Sequence, residues 1–190
     1  NISFNGTYEF QNSYLINPTL GLPRIDNIIG KINFNQNDME INALQANLLS
    51  SPIKIELSNV DKITKINIDG IINQKFIHSV LGEIWGSNVV GETSWSGELK
   101  ITDEATDIEI KSNLKGLGLK LIAPFGKKKE EIRTLLFTKK TINEDQEVLK
   151  AEIGTYVSAK LIKERNYDGV MAIKNGLINI NSLETQIPNT

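Results

Sequence analysis

GETSWSGELKITDEATDIEIKSNLKGLGLKLIAPFGK, residues 91–127, decides the fold. From Gly91 to Ile101 the odd positions carry Thr93, Trp95, Gly97, Leu99 and Ile101, and the even positions carry Glu92, Ser94, Ser96, Glu98 and Lys100. Side chains on a strand alternate faces, so this run has one apolar face and one charged face. Asp103, Glu104 and Ala105 suit a tight connection. Alternation then resumes with Ile108, Ile110 and Leu114 opposite Asp107, Glu109, Lys111 and Asn113. Two amphipathic runs joined by so short a polar link predict an antiparallel hairpin.

Working outward, the same rhythm recurs. Towards the N-terminus a strand is expected over Ile2 to Phe10, with Phe4, Tyr8 and Phe10 on one face, followed by a proline-broken loop from Asn17 to Pro23. Ile28 to Phe34 alternates, Asn35 to Asp38 turns, and Met39 and Ile41 start a return strand. Its apolar parity then flips to Leu44, Ala46 and Leu48, which predicts a bulge near Ala43. Ser50 to Pro52 reads as a turn. Ile53, Ile55 and Leu57 form the next apolar stripe, then Ile66, Ile68 and Gly70. Asn73 to Trp85 predicts one helix, capped by Asn73 and stopped by Gly86, with Ile77, Val80, Leu81 and Ile84 on one face. Towards the C-terminus, Gly116 and Gly118 allow a bend, and Lys127 to Glu131 reads as a charged loop or helical turn. Further strands are expected at Arg133 to Lys139, Glu147 to Ile153, Tyr156 to Ile162, Gly169 to Ile173 and Gly176 to Ile180, before a frayed tail at Ile187 to Thr190. Runs spaced about 8–12 residues apart predict an all-β sheet system.

The totals narrow the function classes. The chain has 190 residues, enough for one domain with a substantial core, and is 39% hydrophobic and 23% charged. A net charge of -2 argues against nucleic-acid binding. Without cysteine there are no disulfides, thiolate nucleophiles or thiolate metal sites. No apolar run is long enough to span a bilayer as a helix. The chain opens on Asn1 rather than Met, already in a strand pattern. We therefore read residues 1–190 as a single β-rich domain and an internal fragment of a longer protein, with any anchor outside it.

About ten strands with apolar faces need cover, and one helix of three turns shields only a few of them at roughly 4.8 Å per strand. The sheet can fold on itself as a sandwich or barrel, or curl into an open trough holding lipid. Both satisfy the pattern. The expected fold is therefore mainly β: a curled, largely antiparallel sheet, trough or incomplete sandwich, with one or two short helices.

The order of several short motifs resembles the central region of the YhdP-like branch of the AsmA-like envelope proteins. These motifs are Gly91 with Trp95-Ser96-Gly97-Glu98-Leu99, then Ser112-Asn113-Leu114-Lys115-Gly116-Leu117, then Ala123-Pro124-Phe125-Gly126-Lys127. Leu22-Pro23-Arg24-Ile25 leading to Gly30-Lys31-Ile32-Asn33-Phe34, and Ser51-Pro52-Ile53, continue the likeness over about residues 20–165. Ile122-Ala123 stands where the family more often has proline before the P-x-G-K turn. The resemblance implies a non-enzymatic, periplasmic segment of an inner-membrane-anchored, bridge-type protein. Such proteins of Gram-negative bacteria take part in phospholipid movement to the outer membrane through a curled sheet with a hydrophobic groove. The implied partners are phospholipid acyl chains and flanking segments of the same protein, with no cofactor.

On that reading the lipid-groove candidates are Ile53, Ile55, Leu57, Ile66, Ile68, Trp95, Leu99, Ile101, Ile108 and Ile110. The competing reading makes the same residues a closed core, in a β-rich periplasmic scaffold or protein-binding module. Lys127, Lys128 and Lys129 could attract phosphates, but Glu130 and Glu131 cancel much of their field, which favours a solvated loop. His78, the sole histidine, lies off the helix's apolar face and makes no metal site by itself. Asp103 with Glu104, and Asp107 with Glu109, sit in a turn and on a polar face, with no apolar setting to tune a catalytic pKa. No catalytic or metal residue is expected.

Overall fold

The chain builds β1 (Asn5–Leu15), β2 (Ile25–Asn35), β3 (Met39–Leu48), β4 (Ser51–Val60) and β5 (Ile63–Ile72) as a meander. Helices α1 (Gln74–Leu81) and α2 (Glu83–Gly86) follow, then β6 (Val89–Gly91), β7 (Thr93–Ile101), β8 (Thr106–Ser112) and β9 (Leu117–Leu119). The rest is β10 (Leu135–Asn143), β11 (Gln146–Ile153), β12 (Val157–Arg165) and β13 (Met171–Ile180). This is a computed structural model, and it describes residues 4–16, 23–35, 39–60, 62–122, 125–166 and 171–180. Most of the loop at Asn17 to Pro23, the turn at residues 36–38, Pro124, Gly169 and the tail at Ile187 to Thr190 lie outside the described residues.

Eleven strands make one antiparallel sheet in the order β1-β2-β3-β4-β5-β7-β8-β10-β11-β12-β13, not closed into a barrel, while β6 and β9 pair separately. The mainly β, incomplete architecture is the expected one. The central hairpin is β7 and β8, paired from Ser96↔Lys111 to Ile101↔Thr106. Its link is closed by the Thr102 side chain, whose Oγ1 accepts the Ala105 N–H at 3.0 Å. The register shift in β3 falls between Ile41 and Leu44, where the parity flip put the bulge. Two more irregularities sit at the left-handed residues Asn12 (φ 58°) and Asn27 (φ 53°). Asparagine tolerates that region better than most residues.

Several strands run a few residues past the expected ends, β1 to Leu15, β10 to Asn143 and β12 to Arg165, and three differences go further. The β3–β4 turn is at Leu49 (φ 52°) and Ser50 (φ 63°), two left-handed residues in succession, so Ser51 and Pro52 already belong to β4. The described part of the run expected at Gly169 to Ile173 and the run at Gly176 to Ile180 belong to one strand, β13 (Met171–Ile180), with a shift between Ile162 and Lys163 of its partner. The helix is also shorter. Asn73 caps it, accepting the Phe76 N–H at 3.1 Å, but Gly82 (φ 85°) breaks the ladder after Leu81 and α2 is a separate turn. The break takes Ile84 out of line with Ile77, and α1 docks through Phe76 and Ile77 in its first turn. Val80, Leu81 and Ile84 of the expected face are therefore exposed.

Candidate functional site: the apolar face of the sheet

Directly paired residues on neighbouring strands share a face, so the register tracks each stripe across the sheet. One row runs Leu44, Ile55, Ile68, Gly97, Ile110, Phe137, Ala151 and Ala159. The next runs Ile41, Leu57, Ile66, Leu99, Ile108, Lys139, Leu149 and Leu161. A third begins Ala46, Ile53, Gly70, Trp95, and Ile101 stands between Thr64 and Thr106. All ten groove candidates thus lie on one face. The opposite face carries a ladder of opposed charges, where Glu98 pairs with both Lys65 and Lys100. Those hydrogen bonds hold the Glu98 carboxyl below its usual range.

Cover over the apolar face is uneven. Ile53, Ile55, Leu57, Trp95, Leu99 and Ile108 are buried, while Ile66, Ile68, Ile101 and Ile110 are half-buried. Most of these join one cluster with Phe76 and Ile77 of α1, Val89 of β6 and Leu117 and Leu119 of β9. Helix and small sheet therefore form a partial second layer at the Trp95 end, with Phe76 and Trp95 ring centroids 6.4 Å apart. Further along the same face Leu135, Phe137, Leu149, Ala151 and Leu161 are only half-buried, and on β13 Ile178 and Ile180 are exposed. Sequence reasoning left β10–β12 out of the candidate list. Their alternation was available as a signal, in Leu135 and Phe137 and in Leu149, Ala151 and Ile153.

Trp95 is seated by glycines. An added Cβ at Gly70, its cross-strand partner, would stand 2.5 Å from Nε1 of the indole, and one at Gly97 would stand 2.9 Å from its Cζ3. The indole Nε1 and the Thr93 Oγ1, both buried on this face, have no hydrogen-bond partner among the described residues.

Lys127 departs from the expected solvated loop. Its side chain is buried, and Nζ donates to the carbonyls of Leu114 (2.7 Å), Leu117 (2.8 Å) and Lys128 (3.1 Å). Burial pushes its pKa down. The loop is folded inward because the carbonyls around β9 have acceptor capacity left over, Leu114 taking only a long 3.4 Å bond from the Leu117 N–H, and the buried ammonium fills it. Arg133, also buried, pairs with Glu131 at 2.6 Å and lies 4.3 Å from the Tyr156 ring centroid. Lys128 and Lys129 remain exposed. Asp103 and Glu104 are in the exposed turn, Asp107 accepts the Thr141 N–H at 3.1 Å, Glu109 pairs with Lys111, and His78 is exposed.

Compared with known families, the chain matches the model described as YhdP protein over residues 1–190. The chain belongs to the YhdP family. No curated protein and no solved structure matches it. YhdP membership points to the cell envelope. It also gives the quoted motifs a physical setting. Gly91 (φ 79°) and Gly116 (φ 95°) bring two backbones so close that a Cβ on either would collide with a carbonyl oxygen of the other segment. Trp95 fills the glycine slot, and Lys127 ties β9 to the loop that follows it. Among the described residues no helix is long and apolar enough to cross a membrane.

Proposed function

We propose that this chain is a non-enzymatic, periplasmic segment of a YhdP-type bridge protein, and that its apolar face carries phospholipid acyl chains between the inner and outer membranes. One observation carries the reading. One row without a polar side chain, Leu44 to Ala159, stays in register across eight strands, β3–β12, of a sheet not closed into a barrel, and cover over that face thins from β8 onward. An acyl chain needs many interchangeable apolar contacts and no single critical residue. Such a face offers them, while the charged opposite face keeps the sheet hydrated. The outer edges of β1 and β13 pair with nothing among the described residues. Flanking segments of the same protein would extend the face by pairing there.

A second reading has its own support. Ile53, Ile55, Leu57, Leu99 and Ile108 are buried to 5–8% exposure without any ligand, as a scaffold with a closed core requires. Native mass spectrometry of the purified chain separates the two. Co-purifying phospholipid, or saturable uptake of a fluorescent acyl probe, supports carriage; a lipid-free chain that excludes the probe refutes it. Ile110→Asp is expected to lower probe uptake while the chain stays folded by circular dichroism. Outright unfolding would make Ile110 ordinary core, because an unpaired carboxylate there would then be desolvated.

A further inference from the structure

From β4 to β8 the apolar face carries no charged side chain among the described residues; its polar members are Ser, Thr and Asn. Charge enters abruptly on the next three strands, all at one end of them. Lys139 stands directly opposite Ile108, Glu147 opposite Thr141, and Lys163 opposite Glu147. Lys139 and Glu147 form an ion pair at 2.7 Å with side chains only 14% and 20% exposed. Lys163 is half-buried and makes no ion pair among the described residues. Arg165, on the same face at the end of β12, is paired with Asp145 at 3.3 Å, so three cations and two carboxylates leave this patch one positive charge. A partly desolvated ion pair beside Leu149 and Leu161 contributes little to stability compared with aliphatic side chains in the same place. A half-buried lysine outside any ion pair among the described residues contributes less.

We propose that Lys163, with Lys139 beside it, binds the anionic phosphate of a lipid headgroup while the acyl chains lie on the neighbouring aliphatic rows. The proposal rests on the apolar face accepting lipid, and adds where along that face the polar end stops. Strand spacing and rise put the two lysine Cα atoms roughly 12 Å apart. Two flexible four-carbon stems span that distance around one phosphate. Glu147 keeps the site empty of loosely held anions until a ligand with enough apolar surface arrives. Thr141, half-buried next to this pair, bonds back to Thr106, donating to its carbonyl at 3.1 Å, so it ties β8 to β10 at the edge of the patch.

The test uses the 190-residue chain and two fluorescent diacyl probes with the same chains, a phosphatidic acid and a diacylglycerol. The phosphatidic acid is expected to bind about tenfold more tightly, the worth of one charge-assisted hydrogen bond. Lys163→Met should reduce that ratio to about threefold or less and leave diacylglycerol binding unchanged. Lys163→Arg should restore it. Lys160→Met, on the opposite face of the same strand, should not alter it. Equal affinity for the two probes, or a ratio untouched by Lys163→Met, overturns the headgroup site and leaves acyl-chain carriage standing. Failure to bind either probe overturns both. Displacement of the phosphatidic acid by an equal concentration of inorganic phosphate would make this a site for soluble anions and overturn the lipid assignment.

Discussion

Gly70→Ala tests how the covered end of the apolar face is built. Where a strand glycine has room for a methyl group, alanine stabilises by about 0.4–1 kcal/mol, because the unfolded chain loses freedom. Gly70 has no such room. The new Cβ would stand 2.5 Å from Trp95 Nε1, 2.7 Å from its Cε2 and 2.9 Å from Ile53 Cγ2. Forcing a packed indole aside costs about 1–3 kcal/mol. The net expectation is a loss of about 1–2 kcal/mol, or roughly 2–8 °C in Tm for a chain of this size. Thermal unfolding followed by far-ultraviolet circular dichroism measures it, and Trp85→Phe provides a background in which fluorescence reports Trp95 alone. In a Trp95→Leu background the indole contacts are gone and only the Ile53 Cγ2 methyl, 2.9 Å away, has to shift, so Gly70→Ala should turn neutral or stabilising. The sign change, a coupling of about 1–3 kcal/mol, is the decisive quantity. Gly70→Ala that stabilises the otherwise native chain without moving Trp95 emission would refute the seat.

Three further outcomes follow from the same geometry. Lys127→Met removes the Nζ donor from the Leu114, Leu117 and Lys128 carbonyls, of which Leu114 and Lys128 keep a backbone N–H at 3.4 and 3.2 Å, and urea unfolding should show a loss of about 1–3 kcal/mol. Glu98 is held below its usual pKa of 4.5 by hydrogen bonds from Lys65 and Lys100, so the stability it contributes is present above that value and lost as pH falls through the depressed one. Glu131 behaves likewise: burial raises its pKa, but Arg133, the Lys128 N–H and the Lys127 charge together outweigh that. The urea midpoint should therefore fall below about pH 4.5, and Glu98→Gln should flatten the fall. Hydrogen exchange should be slowest in β4–β7 and faster in β12 and β13, where side-chain cover is thinner. A lipid that slows exchange in β10–β12 while leaving β4–β7 unchanged would agree with carriage on the open half, and uniform protection would contradict it.

The sheet was legible because its side chains keep a two-residue period. The central hairpin, the capped helix start at Asn73, the bulge beside Ala43 and the shared face of all ten candidates follow from alternation and turn chemistry. Three features were hidden for physical reasons. Gly82 inside a good 3.6-residue pattern does not announce whether the chain will leave the helix there, so Val80, Leu81 and Ile84 look like a buried face. The burial of Lys127 depends on carbonyls up to thirteen residues away in sequence, which no local pattern records. The charges at Lys139, Glu147 and Lys163 meet through strand register alone, and within each strand they read as ordinary polar positions.

The motifs that carried the family resemblance cluster where the fold can be built in few ways. Trp95 needs glycines on both sides, Gly91 and Gly116 permit two backbones to touch, and Lys127 satisfies three carbonyls at once. Each of these fails with a single ordinary substitution, so each is spelled out in sequence. The half-open face on β10–β12 imposes the opposite requirement. Leu149, Ala151 or Leu161 can exchange with other aliphatic residues at little cost when a mobile chain rather than a fixed neighbour packs on them. A surface that needs only to be continuous and apolar leaves periodicity behind and no signature. The part of this protein that is easiest to recognise is therefore the part that secures the sheet, and the part proposed to meet lipid is legible only from how the strands are paired.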